Sequence, residues 1–324
     1  MKKALTLTLA VLFLFTMAIG CAETPAEKTI VKIGAIQGPT GIGMVHLMES
    51  DKTAAATNDY DFTVSSVPQD IGNLLASGNL DIAAVPTNLA AALYQKSEGK
   101  VQLLAVNTLG VLYMLDNGNG INSVADLRGK TIYSTGEGAN PEYILRYVLT
   151  QNGIDPDKDV KIEFLAENTE LVAKMVKGDI TLAMVPEPNV SSVTSQNQAV
   201  KVALSMNTAW EAVAPAGSKL MMGCVAVRKE FLENNKAAVD AFLAEYKASI
   251  EKTADVETTA ALCESYGIIP KAALAKKAIP NCELTFVSGA DMKAQIADYY
   301  QVLFNANPKA IGGKLPDDGF YYVG

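Results

Sequence analysis

Short runs rich in β-branched and apolar residues alternate with longer stretches of helical period from Ile30 onward. This pattern is typical of parallel strands joined by helical crossovers, and not of a sandwich or a helical bundle. The first part of the chain predicts strands over residues 30–36, 62–67 and 81–85, and helices over 42–49, 71–77 and 89–96. We therefore expect an α/β fold with mostly parallel central sheets flanked by helices.

The same alternation occurs twice along the chain. Residues 78–86, Gly-Asn-Leu-Asp-Ile-Ala-Ala-Val-Pro, match residues 178–186, Gly-Asp-Ile-Thr-Leu-Ala-Met-Val-Pro. Upstream of each copy, the strand and loop over 33–41 correspond to those over 131–140. Two matches in the same order indicate two similar α/β lobes.

The chain does not begin a third copy after residue 186. Residues 219–227 predict one more strand, and helical patterns follow over 229–251, 258–266, 270–277 and 289–305. These helices have no predicted sheet of their own to cover. The economical arrangement is that the strand returns to the first lobe and the helices pack there.

Two crossings between the lobes are predicted from clusters of Gly, Asn, Pro and Ser near 116–120 and near 214–219. They divide the chain into lobe 1, formed by 30–116 with 217–324, and lobe 2, formed by 117–216. Two lobes joined by two crossings predict a hinged clamshell.

Composition narrows the classes of function. The 324 residues contain 27 Lys and Arg against 35 Asp and Glu, a formal net charge of −8. Without a basic run to offset this charge, we expect no nucleic-acid partner. A hydrophobic fraction of 49% excludes a disordered chain. One His and four Cys leave little material for a metal cluster or a His-based triad, and no cofactor is expected.

The N-terminus predicts export. Residues 1–20 have two lysines, an apolar stretch and small residues near the end, as a signal peptide does. Residues 18–21, Ala-Ile-Gly-Cys, resemble a bacterial lipoprotein signal, although Ala18 stands where Leu is usual. Lipidation of Cys21, with 21–29 as a tether, predicts an extracytoplasmic protein anchored at the cell membrane. The alternative is ordinary signal cleavage nearby, with Cys21 incidental.

The other reactive side chains predict no chemistry. Cys224, Cys263 and Cys282 are expected as buried or free thiols. The alternative is a disulfide between Cys263 and Cys282, which the sequence alone does not decide. His46 falls early in a predicted helix without a nearby pattern of acid and nucleophile. We expect this histidine to pack on the helix and not to act in catalysis.

Four segments in a particular order resemble a known family. They are residues 75–83 (Leu-Ala-Ser-Gly-Asn-Leu-Asp-Ile-Ala), 126–132 (Asp-Leu-Arg-Gly-Lys-Thr-Ile), 175–180 (Met-Val-Lys-Gly-Asp-Ile) and 225–231 (Val-Ala-Val-Arg-Lys-Glu-Phe). Their order resembles the type II periplasmic-binding-protein fold. The group that is most similar is the ABC-transporter solute-binding proteins for nitrate, sulfonate, taurine and thiamine pyrimidines.

This resemblance implies a transport function. In that family a small organic ligand binds in the cleft between the lobes, the lobes close, and the closed form docks on a permease coupled to an ATPase. The resemblance implies no enzyme activity, and the permease and ATPase would be other chains. The alternatives are an enzyme on the same fold that acts on a small metabolite, and a ligand-sensing lipoprotein without a permease.

Two glycine-rich loops that end corresponding strands are candidates for the cleft. Ligands of open α/β sheets bind beyond the carboxyl ends of strands, where backbone N–H groups at helix N-termini converge. Asn140 is expected as the N-cap of a helix with Pro141 at its first position. The alternative is tight turns without ligand contact. The candidate residues are Gly38, Pro39, Thr40 and Gly41 in the first loop, and Gly136, Gly138, Ala139 and Asn140 in the second.

Polar residues that follow the strands are further candidates. Thr87 and Asn88 come after one Val-Pro, and Glu187 comes after the equivalent Val-Pro of the second copy. Gln69 follows another predicted strand. Thr87 and Asn88 could instead cap a helix, and Glu187 could be a solvated acid or the partner of a lysine.

Two aromatic residues and the arginines bear on the kind of ligand. Tyr113 and Trp210, near the predicted crossings, could sandwich a flat ligand, or could pack the lobes or the hinge. Arg128, Arg146 and Arg228 all lie outside the candidate loops, so no bidentate clamp for an anion is evident. A neutral or amine-bearing heterocycle is therefore favoured over a sulfonate or another anion.

Overall fold

A computed structural model describes residues 28–324. The predicted signal peptide, Cys21 and all but the last two residues of the tether lie outside the described residues. Within 28–324, no helix has both the length and the apolar character needed to cross a bilayer.

The described residues form strands and helices in close alternation. The strands are β1 Ile30–Ile36, β2 Asp59–Ser65, β3 Ile82–Pro86, β4 Val101–Thr108, β5 Leu112–Asp116, β6 Thr131–Ser134, β7 Lys161–Phe164, β8 Leu182–Pro186, β9 Lys201–Ser205, β10 Gly223–Arg228 and β11 Leu284–Ser288. The helices are α1 Pro39–Ile42, α2 Val45–Lys52, α3 Pro68–Ala76, α4 Thr87–Lys96, α5 Asn140–Gln151, α6 Asn168–Lys177, α7 Asn189–Gln196, α8 Met206–Glu211, α9 Lys229–Asn234, α10 Lys236–Lys252, α11 Val256–Ser265, α12 Ala272–Ala278 and α13 Gly289–Ala306. Short 3-10 helices span Val124–Leu127, Ile279–Asn281, Pro308–Ile311 and Asp318–Phe320.

The strands form two sheets with the same internal arrangement. The six-stranded sheet has the order β11-β4-β10-β3-β1-β2, and the five-stranded sheet has the order β7-β6-β8-β5-β9. Strands β1, β2 and β3 pair in parallel, as do β6, β7 and β8. One antiparallel strand lies beside the last parallel strand in each sheet, β10 next to β3 and β5 next to β8. The predicted α/β fold with two similar lobes is confirmed.

The C-terminal part of the chain completes the first sheet. Strand β10 pairs with β3 on one side and with β4 on the other, and β11 pairs with β4 at the edge. The predicted return strand is therefore confirmed, although it begins at Gly223. Strand β11 was not predicted, because all five of its residues are half-buried and it lies between helical patterns. The helix predicted over 229–251 is interrupted at Asn235, which separates α9 from α10.

The first crossing was predicted at the wrong place. Strand β5, Leu112–Asp116, which the sequence division had placed in lobe 1, pairs within the second sheet, so the chain crosses between β4 and β5 at 109–111. The residues over 116–120 form a turn at the far end of β5 instead. There the Asp116 carboxylate accepts hydrogen bonds from the backbone of Asn119 at 2.8 Å and of Gly120 at 2.9 Å. Turn residues in this stretch therefore mark a local turn and not a passage between sheets.

The cores of the two lobes meet on one side of the molecule. One cluster of buried residues includes side chains of both sheets together with Trp210 of α8. The Trp210 ring lies 4.8 Å from that of Tyr147 in α5 and 5.6 Å from that of Tyr299 in α13. The opposite faces have separate clusters, a large one under the C-terminal helices and a small one in the second lobe. The two lobes are thus in direct contact.

Gly34 of β1 is a position at which the packing within the first lobe can be tested. A Cβ at this position would lie 2.5 Å from Leu80 Cδ1 and 2.8 Å from Ile71 Cγ2. Because a packed core accommodates added atoms poorly, Gly34→Ala should lower the free energy of unfolding by about 1–3 kcal/mol in urea titrations. Thr63→Ala is the matched control, since Thr63 is the residue of β2 that pairs with Gly34 and its side chain is exposed. Equal stabilities of the two variants would contradict the packing described.

Candidate functional site

The carboxyl ends of the parallel strands carry the candidate loop of the first lobe. Gly38 has a φ of 89°, in the region that favours glycine, and precedes α1. A Cβ at Gly41 would overlap the carbonyl oxygen of Ile36, so the loop cannot pass so close to β1 with a larger residue. Thr40 is buried, and its carbonyl accepts a hydrogen bond of 3.0 Å from Asn107 Nδ2. The loop is thus fixed in place by its close approach to β1 and by Asn107, and Pro39 within it is half-buried.

Thr87, the first residue of α4, is fully buried. Its Oγ1 donates a hydrogen bond of 2.6 Å to the carbonyl of Met221, and its own carbonyl accepts one of 2.9 Å from the Tyr300 hydroxyl. Asn88 follows in the same turn and is half-buried. Thr87 therefore connects the end of β3 with the segment before β10 and with helix α13.

The loop of the second lobe leads into α5. Gly136 and Gly138 have φ values of 79° and 71°. Ala139, half-buried, is the N-cap, and Asn140 is the first helical residue, so the helix begins one residue earlier than predicted. The expected role of the Asn140 side chain as a cap is therefore wrong. That side chain points to the first lobe instead, where Nδ2 lies 3.5 Å from Thr87 Oγ1, and the residue is only 3% exposed.

Glu187 lies at the end of β8 and is 1% exposed. Its carboxylate accepts hydrogen bonds from Ser191 N at 3.1 Å, from Ser191 Oγ at 3.0 Å and from Asn281 Nδ2 at 3.1 Å. Burial raises the pKa of Glu187, and these hydrogen bonds partly oppose that shift. Asn281 belongs to the first lobe, so this buried carboxylate is completed only by a donor from the opposite lobe.

Other contacts join the same two surfaces. The Tyr113 hydroxyl of β5 donates to the carbonyl of Asn281 at 2.9 Å, and burial raises the pKa of Tyr113 to about 12. Nearby, Lys277 Nζ of α12 lies 2.9 Å from Ser195 Oγ of α7. Helix α12 and the turn after it thus dock on the second lobe through polar contacts. The sequence had identified Tyr113 but offered no signal for Asn281, which lies in a short 3-10 helix.

Two predicted site residues do not join this group. Gln69 lies in the first turn of α3 and is exposed, where its Nε2 donates to Asn73 Oδ1 at 3.0 Å. Trp210 is fully buried between aromatic rings, and its Nε1 donates to Ser218 Oγ at 3.3 Å. The structure therefore places Trp210 in lobe packing, the alternative stated for it, because neither ring face is open to a ligand.

The arginines, the histidine and the cysteines of the described chain lie outside the two candidate loops. Arg128 pairs with Asp159, Arg146 with Glu142 and Asp157, and Arg228 with Asp81 and Glu230. His46 Nε2 lies 2.9 Å from Thr259 Oγ1, and burial lowers the pKa of this histidine. The three described cysteines are free and buried. His46 of α2 thus packs against α11, in agreement with the packing role expected for it.

Two lobes of this topology, with loops of both facing one junction, define the two-lobed periplasmic-binding-protein fold. Residues 59–258 match the family model described as NMT1/THI5 like. This match spans more than half of the chain, and the chain belongs to the NMT1/THI5-like family. A comparison with curated proteins gives no match.

Solved structures share the fold. An ABC transporter protein of Parabacteroides distasonis is 22% identical, with a TM-score of 0.75 over 91% of this chain and 99% of that one. The periplasmic aliphatic sulphonate-binding protein SsuA of Escherichia coli is 18% identical, with a TM-score of 0.71 over 90% and 92%. The periplasmic nitrate-binding protein NrtA of Synechocystis is 16% identical, with a TM-score of 0.55 over 74% and 66%. These neighbours are described as transport or ligand-binding proteins.

The raised pKa of Glu187 predicts how stability depends on pH. A carboxyl whose pKa is raised in the folded state stabilises the fold at pH values below its ordinary pKa of 4.5. That stabilisation is lost as the pH rises through the folded-state pKa. Because Glu187→Gln cannot ionise, its free energy of unfolding relative to wild type should increase between about pH 4 and pH 8. Urea titrations at several pH values measure this difference.

The control for this measurement is Glu233→Gln, a substitution of an exposed carboxylate of α9. For the control, the difference from wild type should stay nearly constant over the same pH range. A difference between Glu187→Gln and wild type that is independent of pH would show that Glu187 has no raised pKa.

Proposed function

We propose that this protein is the extracytoplasmic solute-binding component of an ABC importer, which captures a small organic molecule between its lobes and delivers it to a permease. One observation carries this proposal. Buried polar side chains of opposite lobes meet at the strand ends, Asn140 with Thr87 and Glu187 with Asn281. Family membership supports the same function.

The mechanism is lobe closure around the bound solute. A ligand favours the closed state only as far as it binds that state better than the open one. The junction provides this difference, because Glu187 receives a lobe-1 donor and Asn140 reaches Thr87 only when the lobes are in contact. The membrane permease and its ATPase are separate chains in this proposal, and they would recognise the closed form.

The arrangement of charge favours a neutral or amine-bearing heterocycle over a sulfonate or another anion. The three arginines already pair with acidic side chains, and Glu187 brings a carboxylate to the junction. A buried anion beside this carboxylate would be repelled and would lack a bidentate partner. The proposal assigns no catalytic residue and no cofactor to the junction.

Mass spectrometry of the gently purified protein tests this function. We expect a small organic molecule to be released on denaturation, and calorimetry with the same compound to show saturable binding at one site. Small-angle scattering should show a smaller radius of gyration with the compound than after its removal. Chemical conversion of the compound during incubation would indicate an enzyme, and failure of any compound in a broad library to bind would exclude the importer function.

We further propose that Cys21 is acylated and tethers the protein to the membrane, as the lipoprotein-like residues before it support. Two acyl chains on one cysteine would provide the two hydrophobic signals that stable membrane anchoring takes. Cys21→Ser should abolish incorporation of labelled palmitate and move the protein from the membrane fraction to the soluble extracytoplasmic fraction. Thr24→Ala, a change in the same spacer, should leave both unchanged. Retention of Cys21→Ser in the membrane fraction would contradict lipidation.

A further inference from the structure

The junction between the lobes contains unpaired polar atoms. Among the described residues, three buried side-chain atoms have no hydrogen-bond partner: Asn140 Oδ1, Asn207 Oδ1 and the Tyr299 hydroxyl. All three belong to the region where the lobes meet, in α5, α8 and α13 respectively. Since buried polar groups are nearly always paired in folded proteins, unpaired polar atoms in this region point to a missing partner.

Thr87 determines which atom of the Asn140 amide is left unpaired. The hydroxyl of Thr87 has one hydrogen, and the carbonyl of Met221 at 2.6 Å can only accept it. Thr87 Oγ1 can therefore only accept from Asn140, so the amide atom 3.5 Å away is the Nδ2 donor. The other amide atom is then the carbonyl oxygen, a buried acceptor that faces no donor.

Tyr299 brings a second unpaired group to the same place. It is fully buried, and its hydroxyl has no hydrogen-bond partner. The next residue, Tyr300, donates to the Thr87 carbonyl at 2.9 Å, so this part of α13 lies beside Thr87. Burial raises the pKa of Tyr299, and the nearness of Thr87 acts in the opposite direction. Thr87 is thus close to Asn140 of the second lobe and to Tyr299 of the first.

The N-terminus of α5 gives little support to an anion at this position. Pro141 has no backbone N–H, and the Gly138 N–H already donates to Glu142 Oε2 at 2.7 Å. Glu142 also places a carboxylate in the first turn of the helix, where an external anion would otherwise be favoured. An anion would in addition meet the lone pairs of Asn140 Oδ1, an acceptor that needs a donor.

We propose that Asn140, Thr87 and Tyr299 form the polar anchor of the ligand, and that this anchor selects an uncharged molecule whose N–H or O–H group donates to Asn140 Oδ1 while a neighbouring polar atom binds the Tyr299 hydroxyl. The inference rests on the proposed function and extends it with the residues that discriminate between ligands. Because the anchor has residues from both lobes, the ligand group that binds to it also links the two lobes.

Two variants separate recognition from folding. Asn140→Leu replaces an unpaired buried acceptor with an apolar group of similar size, so the ligand-free protein should melt at the same or a higher temperature. Asn58→Leu is the contrast, since Asn58 is equally buried but donates to Tyr60 and Ala238, and it should melt at a lower temperature. Tyr299→Phe removes only the hydroxyl. Its control is Tyr147→Phe, whose ring contacts the same Trp210 from the second lobe.

Binding is measured by calorimetry and thermal shift with defined probes. The uncharged donors are uracil, nicotinamide and glucose, each compared with its fully N- or O-alkylated analogue, and the anions are ethanesulfonate and nitrate. We expect at least one donor to bind, its alkylated analogue and the anions not to bind, and Asn140→Leu and Tyr299→Phe each to weaken binding about tenfold or more, the equivalent of about 1.4 kcal/mol. Tyr147→Phe should bind as wild type does.

Each other result overturns the inference in a distinguishable way. Binding of ethanesulfonate or nitrate without binding of the donors would refute the anchor but leave the solute-binding function in place. Donor binding that both variants leave unchanged would show that the unpaired atoms do not contact the ligand. Absence of binding by every probe, together with release of no small molecule from the purified protein, would refute the anchor and the solute-binding function together.

Discussion

The rest of the structure depends on the position of one antiparallel strand. Strand β10, Gly223–Arg228, hydrogen-bonds between β3 and β4 in the middle of the first sheet, and five of its six residues are buried. The first lobe is therefore incomplete until the chain has formed the second lobe and returned. At Gly223, where β10 begins, a Cβ would meet Asn107 and Thr40. The strand that completes the sheet thus also supports the candidate loop.

Because β10 returns to the first sheet, the two lobes lie against each other at a common junction. Polar groups buried at this junction therefore need hydrogen-bond partners from the opposite lobe. Glu187 is an example, because a carboxylate that is 1% exposed would have a large uncompensated desolvation cost if Ser191 were its only hydrogen-bond donor. Asn281 provides the additional donor from the C-terminal segment that follows β10. Contact between the lobes therefore pairs these polar groups, while Trp210 and its aromatic neighbours supply the apolar contact.

Local patterns were sufficient for the strands and for the residues at their ends. Val-Pro endings and alternating hydrophobic runs located Thr87, Asn140 and Glu187 beside the junction, since a parallel strand places its last residues at a common edge. They were not sufficient for Asn281 or Tyr299, whose positions depend on how the helices after β10 pack. The crossing predicted at 116–120 failed for a related reason. A turn of Asp, Asn and Gly has the same composition whether the chain reverses within a sheet or leaves it.

The two copies of the Val-Pro ending explain why the cleft is asymmetric although its framework is repeated. The next residue is Thr87 in the first lobe and Glu187 in the second, and both are buried. Thr87 is satisfied by Met221 and Tyr300 of its own lobe, whereas Glu187 requires Asn281 of the other. Equivalent backbone positions thus present a hydroxyl on one side and a carboxylate on the other. In the proposed function, the repeated fold places the solute at the ends of the strands, and the residues that differ between the copies select its chemical groups.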